Sequence, residues 1–174
     1  MNFQRYLQLS FFLIWINIIT INARTLPDII LKGELGSRVD KSEWSSKSLS
    51  GKINLVIYTT PNKEKSVRPL INKIKEKKFS SEKFGTTLIA NLKVIAPIEH
   101  MVRKKLTKKA LENKNVTYVI DRRKVLVNKW ELKDGKAHIL LFDASSNLIS
   151  HYEKEVTSEY IDTLVKQIVK LITQ

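Results

Sequence analysis

The chain has 174 residues, which is enough for one domain of ordinary size and too few for two large ones. Its apolar fraction of 43% supports a hydrophobic core and is too high for a disordered chain. The sequence contains no cysteine, and this excludes disulfide bonds, thiolate metal ligands, cysteine nucleophiles and dithiol redox chemistry.

The first 23 residues have the layout of a secretory signal peptide. A polar stretch with Arg5 as its single charge precedes the apolar run 11–19, and Ile21 and Ala23 fit the cleavage pattern. The run is about half as long as the ~20 apolar residues that a transmembrane helix needs, which argues against a membrane anchor. We therefore predict cleavage after Ala23, a periplasmic location, and one domain over residues 24–174 that is not an integral membrane protein.

Basic charge is concentrated in the middle of the chain. The 31 Lys and Arg residues exceed the 17 Asp and Glu residues, for a net charge of +14. Segment 61–136 holds 21 basic and 8 acidic residues, a net charge of +13. Such a segment favours anionic partners, although an A+T-rich genome would also enrich lysine. Arginine is scarce and aromatic residues do not alternate with the basic ones, so we do not expect nucleic acid as a partner.

The early part of the domain reads mainly as extended structure. We predict extended chain over 29–39, bent into a hairpin by its two glycines. A polar loop at 44–50 follows, anchored by Trp44 and Leu49. The apolar, β-branched run 53–58 is typical of a buried strand.

From residue 64 the apolar spacing alternates between that of helices and that of strands. Val67, Leu70, Ile71 and Ile74 share one face of a helix over 64–77, and Pro69 lies within it. A strand at 86–90 follows, and then a helix marked by Ile98, Met101, Val102 and Leu106. Further strands are predicted at 116–120, 125–132 and 137–142, and a hairpin strand at 148–155. A last helix is capped by Thr157 or Ser158.

This order predicts an α/β domain with a central mixed β-sheet flanked by helices on both faces. Strands separated by helices pair in parallel through right-handed crossovers, and the late hairpin adds antiparallel strands.

The element order, with Pro69 inside the first long helix, resembles the thioredoxin-like fold. That family carries two redox cysteines eight and five residues before the helix proline. The same count from Pro69 gives Pro61 and Glu64, so the motif position is Pro61-Asn62-Lys63-Glu64. The cis proline that the family places before a late core strand is also missing from segment 135–138. The resemblance implies a thioredoxin-like scaffold that is not a thiol-disulfide oxidoreductase.

Short motifs in a fixed order resemble the YtfJ family of exported bacterial proteins, a thioredoxin-like group of unsettled function. The motifs are Gly51-Lys52, Thr86-Thr87-x-Ile89-x-Asn91, Val102-Arg103, Val119-x-Asp121, Trp130-x-Leu132 and Thr157-x-Glu159. The family usually has an acidic pair soon after the asparagine. Here Lys93-Val94 stands near that place, so any role of those acids is lost or altered in this chain.

The rim of the predicted sheet is our candidate binding site, because ligands of open α/β sheets bind beyond the carboxyl ends of the strands. Six residues are predicted at this rim: Pro61, Asn62, Lys63, Glu64, Asn91 and Asp121. Asp121 has an alternative interpretation as a residue that simply makes a turn.

We predict neither a cofactor nor a metal site. The three histidines, His100, His138 and His151, show no recognised ligand spacing, and the five glycines form no phosphate-binding loop.

Three hypotheses about function remain open. The first is a non-enzymatic exported module that binds a peptide, a partner protein or an envelope component, with a rim that can hold an extended chain by backbone pairing. The second is a protein that binds an anionic envelope component through segment 61–136 by charge. The third is an enzyme without cysteine chemistry that uses Glu64, Asp121 or His100, and it requires those side chains to converge in one cleft.

Overall fold

The computed structural model describes residues 24–92 and 96–174. The predicted signal peptide and the Lys93-Val94 position lie outside the described residues. The strands of the described part are β1 Arg24–Thr25, β2 Ile30–Leu31, β3 Gly36–Arg38, β4 Trp44–Ser45, β5 Ile53–Thr59, β6 Phe84–Asn91, β7 Val116–Asp121, β8 His138–Phe142 and β9 Asn147–Tyr152. Its α-helices are α1 Glu64–Glu76, α2 Ala96–Glu112, α3 Val125–Trp130 and α4 Ser158–Ile172. None of these helices is long and apolar enough to cross a membrane.

Most of the strands belong to one mixed sheet in the order β1-β9-β8-β5-β6-β7-β3. Strands β5, β6 and β7 are parallel, whereas β8 runs antiparallel to β5 and β3 runs antiparallel to β7. The connections through α1 and α2 step in the same direction across the sheet, so right-handed crossovers place both helices on the same face. The predicted mixed sheet is confirmed.

Both faces of the sheet are covered, and every residue of β5 is therefore buried. On one face Ile53, Leu55 and Ile57 pack with apolar side chains of α1 and α4, which are Val67, Leu70, Ile74, Ile161, Leu164, Val165 and Ile168. On the other face Val56 and Tyr58 pack with α3 and the N-terminal segment, through Leu126, Trp130, Ile29, Leu31, Trp44 and Leu49. The prediction of helices on both faces is confirmed, and Trp44 and Leu49 are the buried anchors that the sequence indicates.

The predicted strand at 125–132 is wrong, because this segment forms helix α3. Val125 and Val127 favour a strand, but the Asp121 carboxylate accepts hydrogen bonds from the backbone N–H groups of Val125 and Leu126 and caps a helix there. The left-handed backbone of Lys124 and Glu131 bounds this short helix at both ends.

The predicted hairpin over 29–39 is also wrong, because its two halves pair with different strands. Strand β2 pairs with β4 in a separate two-stranded sheet, and β3 pairs with β7 at the edge of the main sheet. Local turn residues indicated a bend at this place but carried no information on the distant partners of each half.

The apolar side chains that predicted α2 do not form one buried face. Ile98 and Met101 are 50% and 70% exposed, whereas Val102 and Leu106 are half-buried. Helix α2 contacts the rest of the fold through Val102 and Leu106 and through the ionic contacts described below, whereas Ile98 and Met101 are exposed.

Candidate binding site

The position of the redox motif lies where β5 ends and α1 begins. Pro61–Lys63 forms a 3-10 turn, and Pro61, Asn62 and Lys63 are all exposed. The Thr60 hydroxyl donates a hydrogen bond of 2.5 Å to Oδ1 of Asn62, which holds this turn against the end of the strand. These side chains present no nucleophile of the kind that a thioredoxin-like enzyme carries here.

Glu64, at the start of α1, is bound by two lysines of α2. Its Oε2 lies 2.6 Å from Nζ of Lys105, and its Oε1 lies 2.5 Å from Nζ of Lys109. Arg68 adds a longer contact of 3.8 Å. Burial by itself would raise the pKa of Glu64, but the hydrogen bonds and charges of the two lysines outweigh it and lower the pKa to about 2. Glu64 is therefore an ionised carboxylate that joins two helices and is poorly suited to act as a general acid.

A pocket of about 90 Å³ lies under this ionic contact, between α1 and α2; we call it the α1–α2 pocket. Glu64, Lys105 and Lys109 line its mouth next to Pro61. Its floor and walls are mainly apolar and include Val67, Ile71, Leu88, Ile89, Ala90, Val102, Leu106 and Tyr118. Two lysines against one carboxylate leave the mouth with a net positive charge.

Asn91 lies at the end of β6 and is 3% exposed. Its Nδ2 donates a hydrogen bond of 3.4 Å to Oδ1 of Asp134, and the other Asp134 oxygen pairs with Lys124. The hydrogen bond from Lys124 lowers the pKa of Asp134. Oδ1 of Asn91 has no hydrogen-bond partner within residues 24–92 and 96–174. The amide is thus positioned by the loop before β8, while its one acceptor oxygen stays unpaired within the described residues.

Asp121, the last residue of β7, is fully buried. Its carboxylate accepts hydrogen bonds from the Tyr58 hydroxyl at 3.1 Å and from the backbone N–H groups of Arg123, Val125 and Leu126 at 3.2, 2.9 and 3.0 Å. Burial and the neighbouring Asp121 charge raise the pKa of Tyr58. These contacts give Asp121 the turn-making role that the sequence left as an alternative, and a ligand has no open path to the carboxylate.

The three acid–base candidates do not converge. Glu64 lines the α1–α2 pocket, Asp121 is enclosed between Tyr58 and α3, and His100 is exposed on α2. The pocket lining includes neither Asp121 nor His100. The arrangement therefore gives no support to the enzyme hypothesis.

A buried ionic network that the sequence did not indicate attaches α2 to the edge of the sheet. Glu99 accepts hydrogen bonds from Arg103 at 2.9 Å and from Arg122 at 2.7 Å. Nη1 of Arg103 also donates to the backbone carbonyls of Arg38 and Val39 at 2.9 and 3.2 Å. The Glu99–Arg103 spacing of four residues is the one available signal, but nothing local predicts the contacts with β3.

The excess of basic charge lies mainly on the side of α1 and α2. Basic residues that follow β7 are paired with acids: Arg122 and Arg123 contact Glu34, and Lys124 contacts Asp134. Several lysines on or just after the two helices make no ion pair within the described part of the chain: Lys65, Lys75, Lys77, Lys78, Lys104, Lys108 and Lys114. Of the basic residues, Lys105 and Lys109 line the α1–α2 pocket, whereas Lys75, Lys78 and Lys114 line a separate cleft.

Three solved structures with the same architecture are distant from this chain in sequence. A candidate protein disulfide isomerase from Bacteroides thetaiotaomicron has a TM-score of 0.64 and 16% identity, covering 87% of this chain and 90% of that one. The thioredoxin domain of a thiol-disulfide oxidoreductase from Bacteroides vulgatus has a TM-score of 0.58 and 16% identity, covering 84% and 96%. The exposed lipoprotein thioredoxin Etrx1 of Streptococcus pneumoniae has a TM-score of 0.58 and 14% identity, covering 83% and 100%. At such identities the likeness shows the fold alone, which is thioredoxin-like.

The family is shown by a more specific match. No sequence among the curated proteins matches the chain. A model of bacterial proteins of unknown function, YtfJ_HI0045, matches residues 17–174, which is nearly the whole chain. This match confirms the resemblance drawn from the short motifs. The protein therefore belongs to the YtfJ_HI0045 family, and it carries the thioredoxin-like fold without any cysteine.

Proposed function

We propose that this protein is an exported, non-redox binding domain that holds an acidic protein segment at the α1–α2 pocket. The observation that carries the proposal is the composition of this pocket. An apolar floor lies beneath a positively charged mouth, at the place where the resemblance puts the redox motif of thioredoxin-like enzymes.

The pocket fits one apolar side chain flanked by carboxylates. A volume of about 90 Å³ admits a single aliphatic side chain, whose burial would contribute about 1.5–3 kcal/mol. Lys105 and Lys109 share one carboxylate, so they offer an excess of positive charge to acidic residues on either side of the apolar side chain. Glu64 holds the two helices at this spacing, so the site is formed before the partner arrives.

Export is the part of the proposal supported by the layout of residues 1–23. Cleavage after Ala23 would make Arg24, the first residue of β1, the new N-terminus at the sheet edge beside Leu148. We expect the intact mass of protein from the envelope fraction to match residues 24–174. A protein that retains Met1 and stays in the cytosolic fraction would contradict export.

Binding is tested with a short fluorescein-labelled peptide of glutamates around one central leucine, followed by fluorescence anisotropy. Replacing Lys105 with glutamine is expected to weaken binding roughly fivefold, because one charge contact at the mouth is worth about 1 kcal/mol. A peptide with serine in place of leucine is expected to bind roughly tenfold more weakly, because its side chain leaves the apolar floor uncovered.

The matched control is Lys129→Gln, which removes the same charge from an exposed position on α3, across the sheet. This variant is expected to keep the wild-type affinity. Equal weakening by both substitutions would mean that the peptide senses only the overall charge, and the pocket proposal would fail.

A second candidate function is supported by the outward face of α2. Ile98, Met101 and Leu111 are exposed there beside Lys104 and Lys108, a combination that suits an anionic envelope component. Under this alternative, affinity for the glutamate peptide would fall steeply with added salt and would not depend on the leucine.

A further inference from the structure

The β8–β9 hairpin brings two histidines and a glutamate into contact. Leu140 pairs with His151 in the antiparallel register, so the next pair on the same face joins His138 with Glu153. Nδ1 of His138 lies 2.9 Å from Nε2 of His151 and 3.8 Å from Oε2 of Glu153. One ligand-type atom from each of the three residues lies within 4.8 Å of the others.

The position of His138 leaves one ring nitrogen available. Its Nε2 lies 2.8 Å from the backbone carbonyl of Lys133, and a carbonyl only accepts, so Nε2 carries the hydrogen and donates it. In the neutral ring Nδ1 then carries a lone pair, which accepts the 2.9 Å hydrogen bond from Nε2–H of His151. A metal ion would take over this lone pair, and His151 would shift its hydrogen to Nδ1 to offer its own Nε2. A metal-binding histidine almost always donates its second ring N–H to a carbonyl or carboxylate in this way.

We propose that His138, His151 and Glu153 form a binding site for a divalent first-row transition metal such as Zn²⁺. Two imidazoles and one carboxylate form a ligand set that zinc accepts, with a fourth position left for water. His138 is fully buried and fixed, whereas His151 is exposed and free to adjust.

The required movement is small. Two nitrogens at zinc-ligand distance in a tetrahedral site lie about 3.3 Å apart, so His151 must retreat by about 0.4 Å from its present position. Lys133, whose Nζ lies 2.5 Å from Oε1 of Glu153, must swing away, and its side chain is 70% exposed. The hairpin backbone can therefore stay in place when the ion binds.

Calorimetric titration of the tag-free, chelator-treated full domain with ZnCl₂ tests the site. We expect one Zn²⁺ per chain, with affinity reduced roughly 10–100-fold or more in His151→Ala and in Glu153→Gln. Both changed positions are at least partly exposed, so the variants keep the fold, which circular dichroism checks. His100→Ala is the matched control, because His100 is the remaining histidine of the chain and is exposed on α2; it should bind as the wild type does.

The absorption spectrum of bound Co²⁺ distinguishes a His151 that ligates the metal from a His151 that only supports the fold. Co²⁺ bound at the site should give the visible absorption bands of a four-coordinate ion, and these bands should be absent from His151→Ala. The proposal is overturned if Zn²⁺ does not bind, if His100→Ala abolishes binding, or if His151→Ala lowers thermal stability without altering Zn²⁺ affinity.

Discussion

Replacing Asp121 with alanine is expected to lower the free energy of unfolding by roughly 3–5 kcal/mol. The buried carboxylate accepts four hydrogen bonds, from the Tyr58 hydroxyl and from three backbone N–H groups between β7 and α3. Alanine would leave all these donors without a partner in a dry interior and would remove the cap of α3. Urea unfolding followed by circular dichroism measures the effect.

Two further variants make the Asp121 result specific. Asp162→Ala, at an exposed position on α4, should change stability by less than about 0.5 kcal/mol. Asp121→Asn keeps one acceptor oxygen and should fall between alanine and the wild type. If Asp121→Ala were as stable as Asp162→Ala, the hydrogen bonds around Asp121 would not hold β7 and α3 together.

Replacing Gly36 with alanine is expected to destabilise the protein by roughly 3 kcal/mol or more. Gly36 has a φ of 142°, and an added Cβ would lie 2.1 Å from the backbone oxygen of Ile120. Because this atom belongs to the backbone of β7, it cannot turn aside, and β3 would be pushed off the sheet edge. Thermal unfolding measures the loss.

Gly33→Ala is the control for backbone strain alone. Gly33 also has a positive φ, of 53°, but an added Cβ there meets nothing within 4 Å. Its substitution should cost only about 1 kcal/mol. Equal losses of stability in Gly33→Ala and Gly36→Ala would show that the close approach of Gly36 to β7 does not contribute to the effect.

The strands around β5 could be predicted because their residues are buried on both faces and show continuous apolar runs. Helices α1 and α4 could also be predicted, because each has a stripe of apolar side chains that faces the sheet. Helix α3 could not be predicted from its own residues, because Val125 and Val127 favour a strand. The helix depends on hydrogen bonds from its first backbone N–H groups to the Asp121 carboxylate. On α2 the apolar spacing predicted the helix but did not predict that Ile98 and Met101 are exposed.

The sequence located Glu64 within the fold but did not reveal its contacts. The element order placed Glu64 at the start of α1, and the sequence allowed it a chemical role. Lys105 and Lys109 decide that role, since their charges hold the Glu64 carboxylate as a helix-joining anion. Spacing in the sequence could not reveal these pairs, because some forty residues of intervening fold bring them together.

By itself the sequence determined the absence of thiol chemistry, the order of most strands and helices, and the family. These properties depend on composition and on residues close to one another along the chain. Only the packed fold shows that β3 joins β7, that lysines of α2 close over the pocket, and that the predicted hairpin brings the rings of His138 and His151 within hydrogen-bond distance. These contacts depend on how elements far apart in the chain pack together, and residues close to one another along the chain do not reveal that packing.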